Sequence, residues 1–465
     1  MRIITNFKMC VMKLNKYFMI GAMGLSLVAC SDNLDENGQG ANGTNPNEGT
    51  THASFTLDFK GASSRTVGLE GTEGEQGITT AYVVMADNGT ITNVIGGAIA
   101  DATEYTTGGS ADGEGIYKVD NNVVKYLLKT EEGPHTFYAV VNPDAVPQEN
   151  KTIAEYFNAG VALSIDNIAA DNKFMMASQE AKTFDIEDDV TEEAALEGEL
   201  NTANNFEIVV ERVSAKVTVT AANATLTGDA GGKISETKTA FNLKGIASKS
   251  YRMAQSSVKE IAENNWNTSK ENVAVHFGAY NDDNVTAAYC LENLHINDKD
   301  YTQGNVTYIT IKTTFIPGKV VNCDWDGVSA DNALKTYSGA AASFYVVATG
   351  DLAGNYILKS DLDTYKASHD NALPNGVESI DEEDLYENGV CWFGPIWLGQ
   401  ENQGVDAAAP VYRNTWYDVE ITGINLPGDP QEPDIHEEWP LEPATNVAIR
   451  LKVADWSYKK VEVDL

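Results

Sequence analysis

The stretch Ala53–Thr66, ASFTLDFKGASSRT, decides how the rest of the chain is interpreted. Apolar and polar residues alternate from Phe55 to Lys60, which is the period-2 pattern of a strand with one buried face. Four small residues and then Arg65 follow, and small polar tips of this kind are where proteolytic cleavage concentrates. The stretch predicts a first strand that a trypsin-like protease detaches by cutting between Arg65 and Thr66. Taken alone, it also fits an ordinary first strand followed by a loop.

A targeting segment, Met12–Cys30, precedes this strand. It has two lysines near its start and an apolar run, Tyr17–Ala29, that is too short to span a membrane comfortably. The run ends in Leu-Val-Ala-Cys, which is similar to the lipobox of bacterial lipoproteins. We predict a lipoprotein signal peptide over residues 1–30, with its true start at Met12, and acylation of Cys30. The alternative is a plain secretory signal in which Cys30 is incidental.

Residues 31–65 are predicted to be a propeptide that is removed on maturation. The first part, Ser31–Gly49, is rich in Ser, Asp, Asn, Glu and Gly and has hardly any apolar residue, as expected of a tether. The second part is the first strand itself.

Charge excludes one class of partner. Lys and Arg total 32 against 68 Asp and Glu, which gives a formal net charge of −36. Nucleic acid is therefore not expected to bind, because phosphate recognition needs clustered Lys and Arg.

The rest of the chain predicts an all-β fold with a few short helices. Strand-like segments recur without long helices between them, which favours two β-sandwiches in tandem. We place one domain at residues 66–225 and the other at 226–465. The predicted strands are Ile78–Ala86, Thr90–Ile95, Val123–Leu128, Thr136–Val141, Phe206–Thr220, Lys238–Gly245, Val273–Ala279, Val306–Phe315, Ser343–Ala348, Trp416–Gly423 and Val447–Trp456. Helical turns are expected at Thr152–Asn158 and Asp361–Ala367, and Glu187–Asn205 is expected to be a solvated loop.

No motif for catalysis, a metal or a cofactor is present, so we predict neither an enzyme nor a bound cofactor. Cys290, Cys323 and Cys391 lack the spacing of a disulfide framework or a zinc site and are expected to be buried. Trp392 and Trp397 could stack on a sugar, although a buried aromatic cluster explains them equally well.

The C-terminal stretch Val447–Leu465 is the second segment that we single out. It alternates apolar and polar residues from Val447 to Val453, and further apolar residues extend this apolar edge to the last residue. Its apolar positions are Val447, Ile449, Leu451, Val453, Trp456, Val461, Val463 and Leu465.

Taken together, these segments resemble the fimbrillins of Bacteroidales, the FimA-like and minor fimbrial subunits of type V pili. The resemblance covers nearly the whole chain. It is carried by the lipobox at Cys30, by ASFTLDFKGASSR, GPHTFYAVVNP at Gly133–Pro143, FMMA at Phe174–Ala177, VERVSAKVTV at Val210–Val219, YCLEN at Tyr289–Asn293, NTWYDVEITGI at Asn414–Ile424 and VAIRLKVADW at Val447–Trp456.

The resemblance implies transthyretin-like, Greek-key sandwiches and a defined life cycle. The precursor would be lipid-anchored in the outer membrane, and a trypsin-like, Arg-specific protease would cut between Arg65 and Thr66. Loss of the first strand would open a groove, and Val447–Leu465 of the next subunit would fill it. The expected partners are further copies of the chain, accessory fimbrial subunits, the protease and surface receptors on host or bacterial cells. The expected location is a fimbrium on the cell surface, where it would support adhesion and biofilm formation.

Three alternatives stay open. The chain could be an accessory or tip fimbrillin, although a complete C-terminal strand argues against a tip. It could be a surface glycan-binding lipoprotein that keeps Cys30. Finally, Val447–Leu465 could simply pair within its own C-terminal sandwich.

Overall fold

This computed structural model describes residues 51–58, 69–70, 72–119, 123–221, 232–279, 284–399, 408–424, 426–442 and 447–457. The predicted signal peptide, most of the tether and the predicted domain boundary between residues 225 and 226 lie outside these ranges. The described chain is dominated by strands, which confirms the all-β prediction.

The strands up to the predicted boundary are short to medium in length. In chain order they are β1 Thr51–Asp58, β2 Leu69–Glu70, β3 Thr80–Asp87, β4 Thr90–Ala98, β5 Thr103–Glu104, β6 Gly115–Val119, β7 Val123–Thr130, β8 Gly133–Val141, β9 Val161–Ala162, β10 Met176–Ser178, β11 Lys182–Ile186, β12 Asn205–Arg212 and β13 Ser214–Thr220.

The strands after the boundary continue the numbering. They are β14 Lys233–Ile234, β15 Ala240–Ile246, β16 Lys249–Ser250, β17 Thr268–Ala274, β18 Ala288–Leu291, β19 Tyr308–Ile316, β20 Lys319–Val321, β21 Leu334–Thr336, β22 Phe344–Thr349, β23 Tyr356–Leu358, β24 Ser379–Ile380, β25 Val390–Trp397, β26 Thr415–Ile424 and β27 Val447–Ser457. Most of the predicted strands are found within a few residues of their expected bounds. The strand expected at Val273–Ala279 lies earlier, at Thr268–Ala274.

Ten strands form the largest sheet, in the order β4-β3-β8-β10-β12-β1-β7-β6-β5, with β11 paired to β8. Side chains from several of these strands meet in one apolar core, which includes Phe55, Val84, Phe137, Met176 and Ile208. The first strand of the chain therefore lies inside the sheet, with neighbours on both sides.

Two five-stranded sheets build the C-terminal part: β18-β13-β26-β27-β2, and β14-β19-β15-β17 with β25 paired to β19. A second core includes Val217 of β13, Phe241 of β15, Ile311 of β19, Phe393 of β25 and Val419 of β26, so side chains of both sheets contribute to it. Smaller pairings are β9 with β16, β20 with β21, and β23-β22-β24.

The segment Phe206–Thr220, expected as one strand, is two strands in different sheets. β12 belongs to the ten-stranded sheet and β13 to the C-terminal sheet, and the change occurs at Val213. The backbone N–H of Val213 donates to the carbonyl of Met175 at 3.0 Å, which extends the antiparallel register of β12 with β10 by one residue before β13 begins at Ser214. The chain thus passes from one core to the other within a single residue.

The α-helices are short: α1 Ile153–Tyr156, α2 Ile165–Ile168, α3 Glu192–Glu197 and α4 Lys359–Ser368. The helical turns expected near α1 and α4 are confirmed. The 3-10 helices of the described chain are Glu73–Glu75, Ile99–Asp101, Glu236–Lys238, Asp298–Asp300, Ala330–Asn332 and Glu387–Gly389. No helix within the described ranges is both long enough and apolar enough to cross a membrane.

Helix α3 corrects the prediction of a solvated loop at Glu187–Asn205. Its glutamates lie in the first and last turns, whereas Ala195 and Leu196 are buried. These two residues pack in a small cluster with Tyr105, Tyr117 and Leu127. Because the segment is rich in acidic residues, its sequence did not reveal the short apolar face. That face is enough to pack the helix against this cluster.

Candidate functional site

The strand β1 is hydrogen-bonded along both of its edges. It runs antiparallel to β7, with Phe55 opposite Tyr126, and parallel to β12, with Phe55 opposite Phe206. Removing β1 would leave two facing strands with unpaired N–H and C=O groups, and such open edges readily accept another strand. We call the position that β1 occupies between β7 and β12 the slot.

The buried face of β1 is apolar and makes extensive contacts. Ala53 and Phe55 are fully buried, and Leu57 is nearly so. The ring of Phe55 lies 4.4 Å from that of Phe137, 5.9 Å from Phe206 and 6.2 Å from Phe184, measured between centroids. The pattern expected from the sequence is confirmed for Phe55 to Asp58; Phe59 and Lys60 lie outside the described residues.

We call residues 187–197, which contain α3, the α3 segment. Polar contacts join the start of β1 to this segment. The hydroxyl of Ser54 donates to the carbonyl of Ala195 at 2.6 Å, and that of Thr51 donates to the carbonyl of Glu187 at 2.7 Å. The backbone N–H of His52 donates to Val190 at 3.0 Å. The α3 segment thus covers the outer face of the slot.

Three predicted processing residues, Cys30, Arg65 and Thr66, lie outside the described residues. The chain is described again at β2, where Leu69 and Glu70 run parallel to Trp456 and Ser457 of β27. The segment that follows the predicted cleavage point is therefore next to the C-terminal strand.

The strand β27 contains five of the eight predicted donor residues: Val447, Ile449, Leu451, Val453 and Trp456. It pairs antiparallel with β26 of the same chain, from Val447 opposite Ile424 to Asp455 opposite Thr415. Val461, Val463 and Leu465 lie outside the described residues. Residues 447–457 therefore follow the last of the three alternatives above, in which the strand pairs within its own C-terminal sheet.

A buried polar cluster, which sequence reasoning missed, anchors the chain just after β2. The carboxylate of Glu75 lies 2.8 and 3.0 Å from the ammonium of Lys216 and accepts a hydrogen bond from the hydroxyl of Tyr289 at 2.6 Å. Its backbone carbonyl accepts from the guanidinium of Arg212 at 3.2 Å. Lys216 also lies 3.8 Å from the ring centroid of Trp416. We call these five residues the Glu75 cluster. Because its members are far apart in sequence, no local pattern could have revealed it.

The three cysteines within the described residues, Cys290, Cys323 and Cys391, are free and buried, as expected. Burial raises the pKa of Cys290 and Cys391 to about 12 and that of Cys323 to about 11. Thiols with such high pKa values are unreactive near neutral pH, which suits a packing role.

The predicted aromatic pair is not an open sugar platform. Trp397 is only 3% exposed and its ring lies 5.3 Å from that of Tyr308, so the alternative of a buried aromatic cluster is confirmed for this residue. Trp392 is half-buried, with the ammonium of Lys312 5.0 Å from its centroid. Among the residues that the structure describes, no group of three or more His, Cys, Asp or Glu side chains is arranged to hold a metal ion.

Comparisons with known proteins identify one matching family. Residues 384–462, which include β25, β26 and β27, match the family model described as "Major fimbrial subunit protein type IV, Fimbrillin, C-terminal". A search of curated proteins found no significant match.

Several solved structures are similar to the chain. A fimbrilin from Porphyromonas gingivalis has 14% identity over 88% of this chain and 99% of that chain, with a TM-score of 0.46. A proposed cell adhesion protein from Parabacteroides distasonis has 15% identity over 89% and 98%, with a TM-score of 0.44. The tip fimbrial protein Mfa3 from Porphyromonas gingivalis, solved with a C-terminal truncation, has 11% identity over 87% and 100%, with a TM-score of 0.38. The region of residues 384–462 is thus similar to the C-terminal part of fimbrillins.

Proposed function

We propose that the chain is the precursor of a structural subunit of surface fimbriae, and that it polymerises by exchanging strands between copies. The match of residues 384–462 to a fimbrillin C-terminal family supports a fimbrial subunit. The observation that carries the strand exchange is β1, a buried strand inside the sheet that ends shortly before Arg65. Adhesion and biofilm formation would be the roles of the finished fibre.

Maturation, in this proposal, begins with acylation of Cys30 and transfer to the outer membrane. A trypsin-like protease then cuts between Arg65 and Thr66, and the residues up to Arg65 leave with β1 and the lipid on Cys30. The slot loses its apolar filling, so Phe137, Phe184 and Phe206, which now contact Phe55, are exposed to water. Burying them again is the driving force for assembly.

The incoming segment is Val447–Leu465 of the next subunit. A strand added between two open edges gains main-chain hydrogen bonds, and its alternate side chains fill the pockets that β1 vacated. Burial of about six large apolar groups at ~1.5–3 kcal/mol each gives a gross gain on the order of 10–18 kcal/mol before entropy costs. Such a joint would open very slowly.

The pairing of β27 with β26 fits the state before exchange. In that state the chain fills its slot with its own β1, and its C-terminal strand rests on its own sheet. An open slot in the periplasm would invite aggregation, because unpaired edges pair with any available strand. Cleavage after export removes this protection only where assembly takes place.

The test is N-terminal sequencing of protein sheared from the cell surface. We expect the sequence to start at Thr66. The variant Arg65→Ala should remain an uncut, lipid-bearing monomer, whereas Lys60→Ala, which removes the basic residue just before the small-residue tip, should be processed normally. A blocked, acylated Cys30 on the wild-type surface protein would contradict the proposal and favour an anchor subunit or another lipoprotein. Fibres of normal length from Arg65→Ala would contradict it too.

A further inference from the structure

A cleft of about 370 Å³ opens next to the ten-stranded sheet, away from β1. The loop between β16 and β17 forms one wall, and the residues that follow β18 and precede β26 form another. We call it the junction cleft. Its volume is near the lower end of the range for small-molecule sites.

Three aromatic residues, Tyr251, Trp266 and Tyr412, line the junction cleft. Tyr412 is 40% exposed. Trp266 is partly exposed, and its ring is stacked on that of His295 at 5.8 Å between centroids. The cleft therefore presents flat apolar surfaces held in a fixed position.

The loop that forms the wall is pinned, so the cleft exists before any ligand arrives. The side chain of Asn264 accepts hydrogen bonds from the backbone N–H groups of Ser248 and Lys249 at 2.7 and 3.0 Å and donates to the carbonyl of Lys249 at 3.1 Å. Arg252 makes two bonds to Asp144, of 2.7 and 2.8 Å. A preformed site avoids the entropy cost of ordering a loop on binding.

The charges of the lining disfavour an anion. The guanidinium of Arg413 is occupied, because it donates to the carboxylate of Glu292 and to the carbonyls of Tyr251 and Arg252. Lys259 is the other cation of the lining, and its ammonium donates to Gln255. Glu211 and Glu260 add two carboxylates beyond Glu292, so acids outnumber bases.

We propose that the junction cleft binds a neutral saccharide. One face of a sugar ring is rich in C–H groups and packs on an aromatic ring, while its hydroxyl rim needs hydrogen-bond donors and acceptors. Tyr412 and Trp266 supply the first kind of surface. The lining supplies the second with the amide of Gln179, the hydroxyls of Ser256 and Ser257, and the carboxylate of Glu260, of which Oε1 lies 3.3 Å from Nδ1 of His295. This site is separate from the β1 slot and does not depend on whether the chain polymerises.

The test titrates the full chain with lactose, N-acetyllactosamine, mannobiose and N,N′-diacetylchitobiose, with tryptophan fluorescence and calorimetry as readouts. We expect at least one of these to bind and 3′-sialyllactose to bind more weakly than its neutral parent. Tyr412→Ala should weaken binding by about tenfold or more, as is typical when a central aromatic contact is lost. Ser257→Trp should also weaken binding, because it places bulk in the cleft from an exposed position.

Trp439→Ala is the matched control, since Trp439 is 52% exposed and is not part of the cleft lining. It should bind like the wild type, and circular dichroism should show that all three variants are folded. The proposal is overturned if none of the four neutral sugars binds, or if both cleft variants bind like the wild type. Tighter binding of 3′-sialyllactose or of the cationic peptide trilysine would also overturn it.

Discussion

The ammonium nitrogen of Lys216 lies 2.8 Å from Oε1 of Glu75, and the two side chains are only 2% and 1% exposed. Glu75 ends the 3-10 helix that follows β2, and Lys216 lies on β13 of the C-terminal sheet. This pair therefore ties the segment downstream of the proposed cleavage point to the C-terminal core. If residues up to Arg65 leave, the new N-terminal segment is still held at Glu75.

Glu75→Gln should lower the free energy of unfolding by about 3–5 kcal/mol, because it leaves the ammonium of Lys216 buried without its carboxylate. Urea unfolding followed by circular dichroism measures the change. Glu180→Gln is the control, because its partner Lys182 and Glu180 itself are 37% and 65% exposed, and it should cost no more than about 1 kcal/mol. Equal effects of the two substitutions would contradict the anchoring role.

The loss of unfolding free energy caused by Glu75→Gln should become smaller as the pH rises. Burial lowers the pKa of Lys216 from its ordinary value of 10.5, and Glu75 opposes this shift. Between the lowered pKa and 10.5 the unfolded chain binds more protons than the folded one, so stability rises with pH in that window. Without the Glu75 carboxylate the pKa of Lys216 falls further, so the stability of the variant rises with pH over a wider pH range than that of the wild type. Unfolding of both proteins at about pH 7 and about pH 9.5 tests this; a constant difference would contradict it.

Phe55→Ala should destabilise the uncleaved precursor by about 3–5 kcal/mol, the usual cost of removing a fully buried phenylalanine. It should leave mature fibres unchanged once they have formed, because β1 is absent from them in the proposed function. Thermal unfolding of the precursor and of sheared fibres separates the two states. Thr56→Ala is the neighbouring control, with a half-buried side chain on the same strand. Fibres weakened by Phe55→Ala would contradict removal of β1.

The sequence predicts those features of this structure that depend on neighbouring residues, and not those that depend on residues far apart in the chain. Alternation of apolar residues located β1 and its buried face, because Phe55 and Leu57 face the core whatever their partners are. The parallel pairing of β1 with β12 could not be predicted, since it joins strands far apart in the chain. The break at Val213 could not be predicted either, because both halves of that segment are buried and they differ only in their distant partners, β10 for β12 and β18 and β26 for β13.

The same limit applies to the candidate sites. Glu75 stands among glycines and glutamates and reads as part of a solvated stretch until Lys216 and Tyr289 are brought next to it. The junction cleft combines Trp266 and Tyr412 with Glu211 of β12, and none of these has a local motif. In contrast, the burial of the cysteines was predictable, because their spacing fits neither a disulfide framework nor a zinc site and a free cysteine behaves as a small apolar residue.

The three cysteines of the folded domains should resist alkylation in the native protein. Iodoacetamide needs the thiolate and access to it, and Cys290, Cys323 and Cys391 are buried with raised pKa values. Mass spectrometry of the corresponding peptides after treatment at about pH 8 should find them unmodified. The same peptides from denatured protein are the control and should be fully alkylated. Alkylation of Cys391 under native conditions would contradict the described packing.

The last prediction separates folding of the C-terminal sheet from donation of its strand. Deleting Val447–Leu465 would remove β27 from its pairing with β26, so the loss of fibres in that variant would have two explanations. Val463→Asp avoids this problem, because the position follows the described end of β27 at Ser457. We expect this variant to fold and to be processed to Thr66, yet to form few or no fibres, since a buried unpaired charge in the slot costs several kcal/mol.

Glu462→Gln is the matched control, because it changes a charge at the adjacent position, whose side chain points to the other face of an extended strand. Sedimentation of fibres from the cell surface and electron microscopy give their amount and length. Wild-type fibres from Val463→Asp would show that the segment beyond Ser457 does not enter the slot. Donation would then have to be made by β27 itself, which would first have to leave β26 along the whole pairing from Val447 to Asp455.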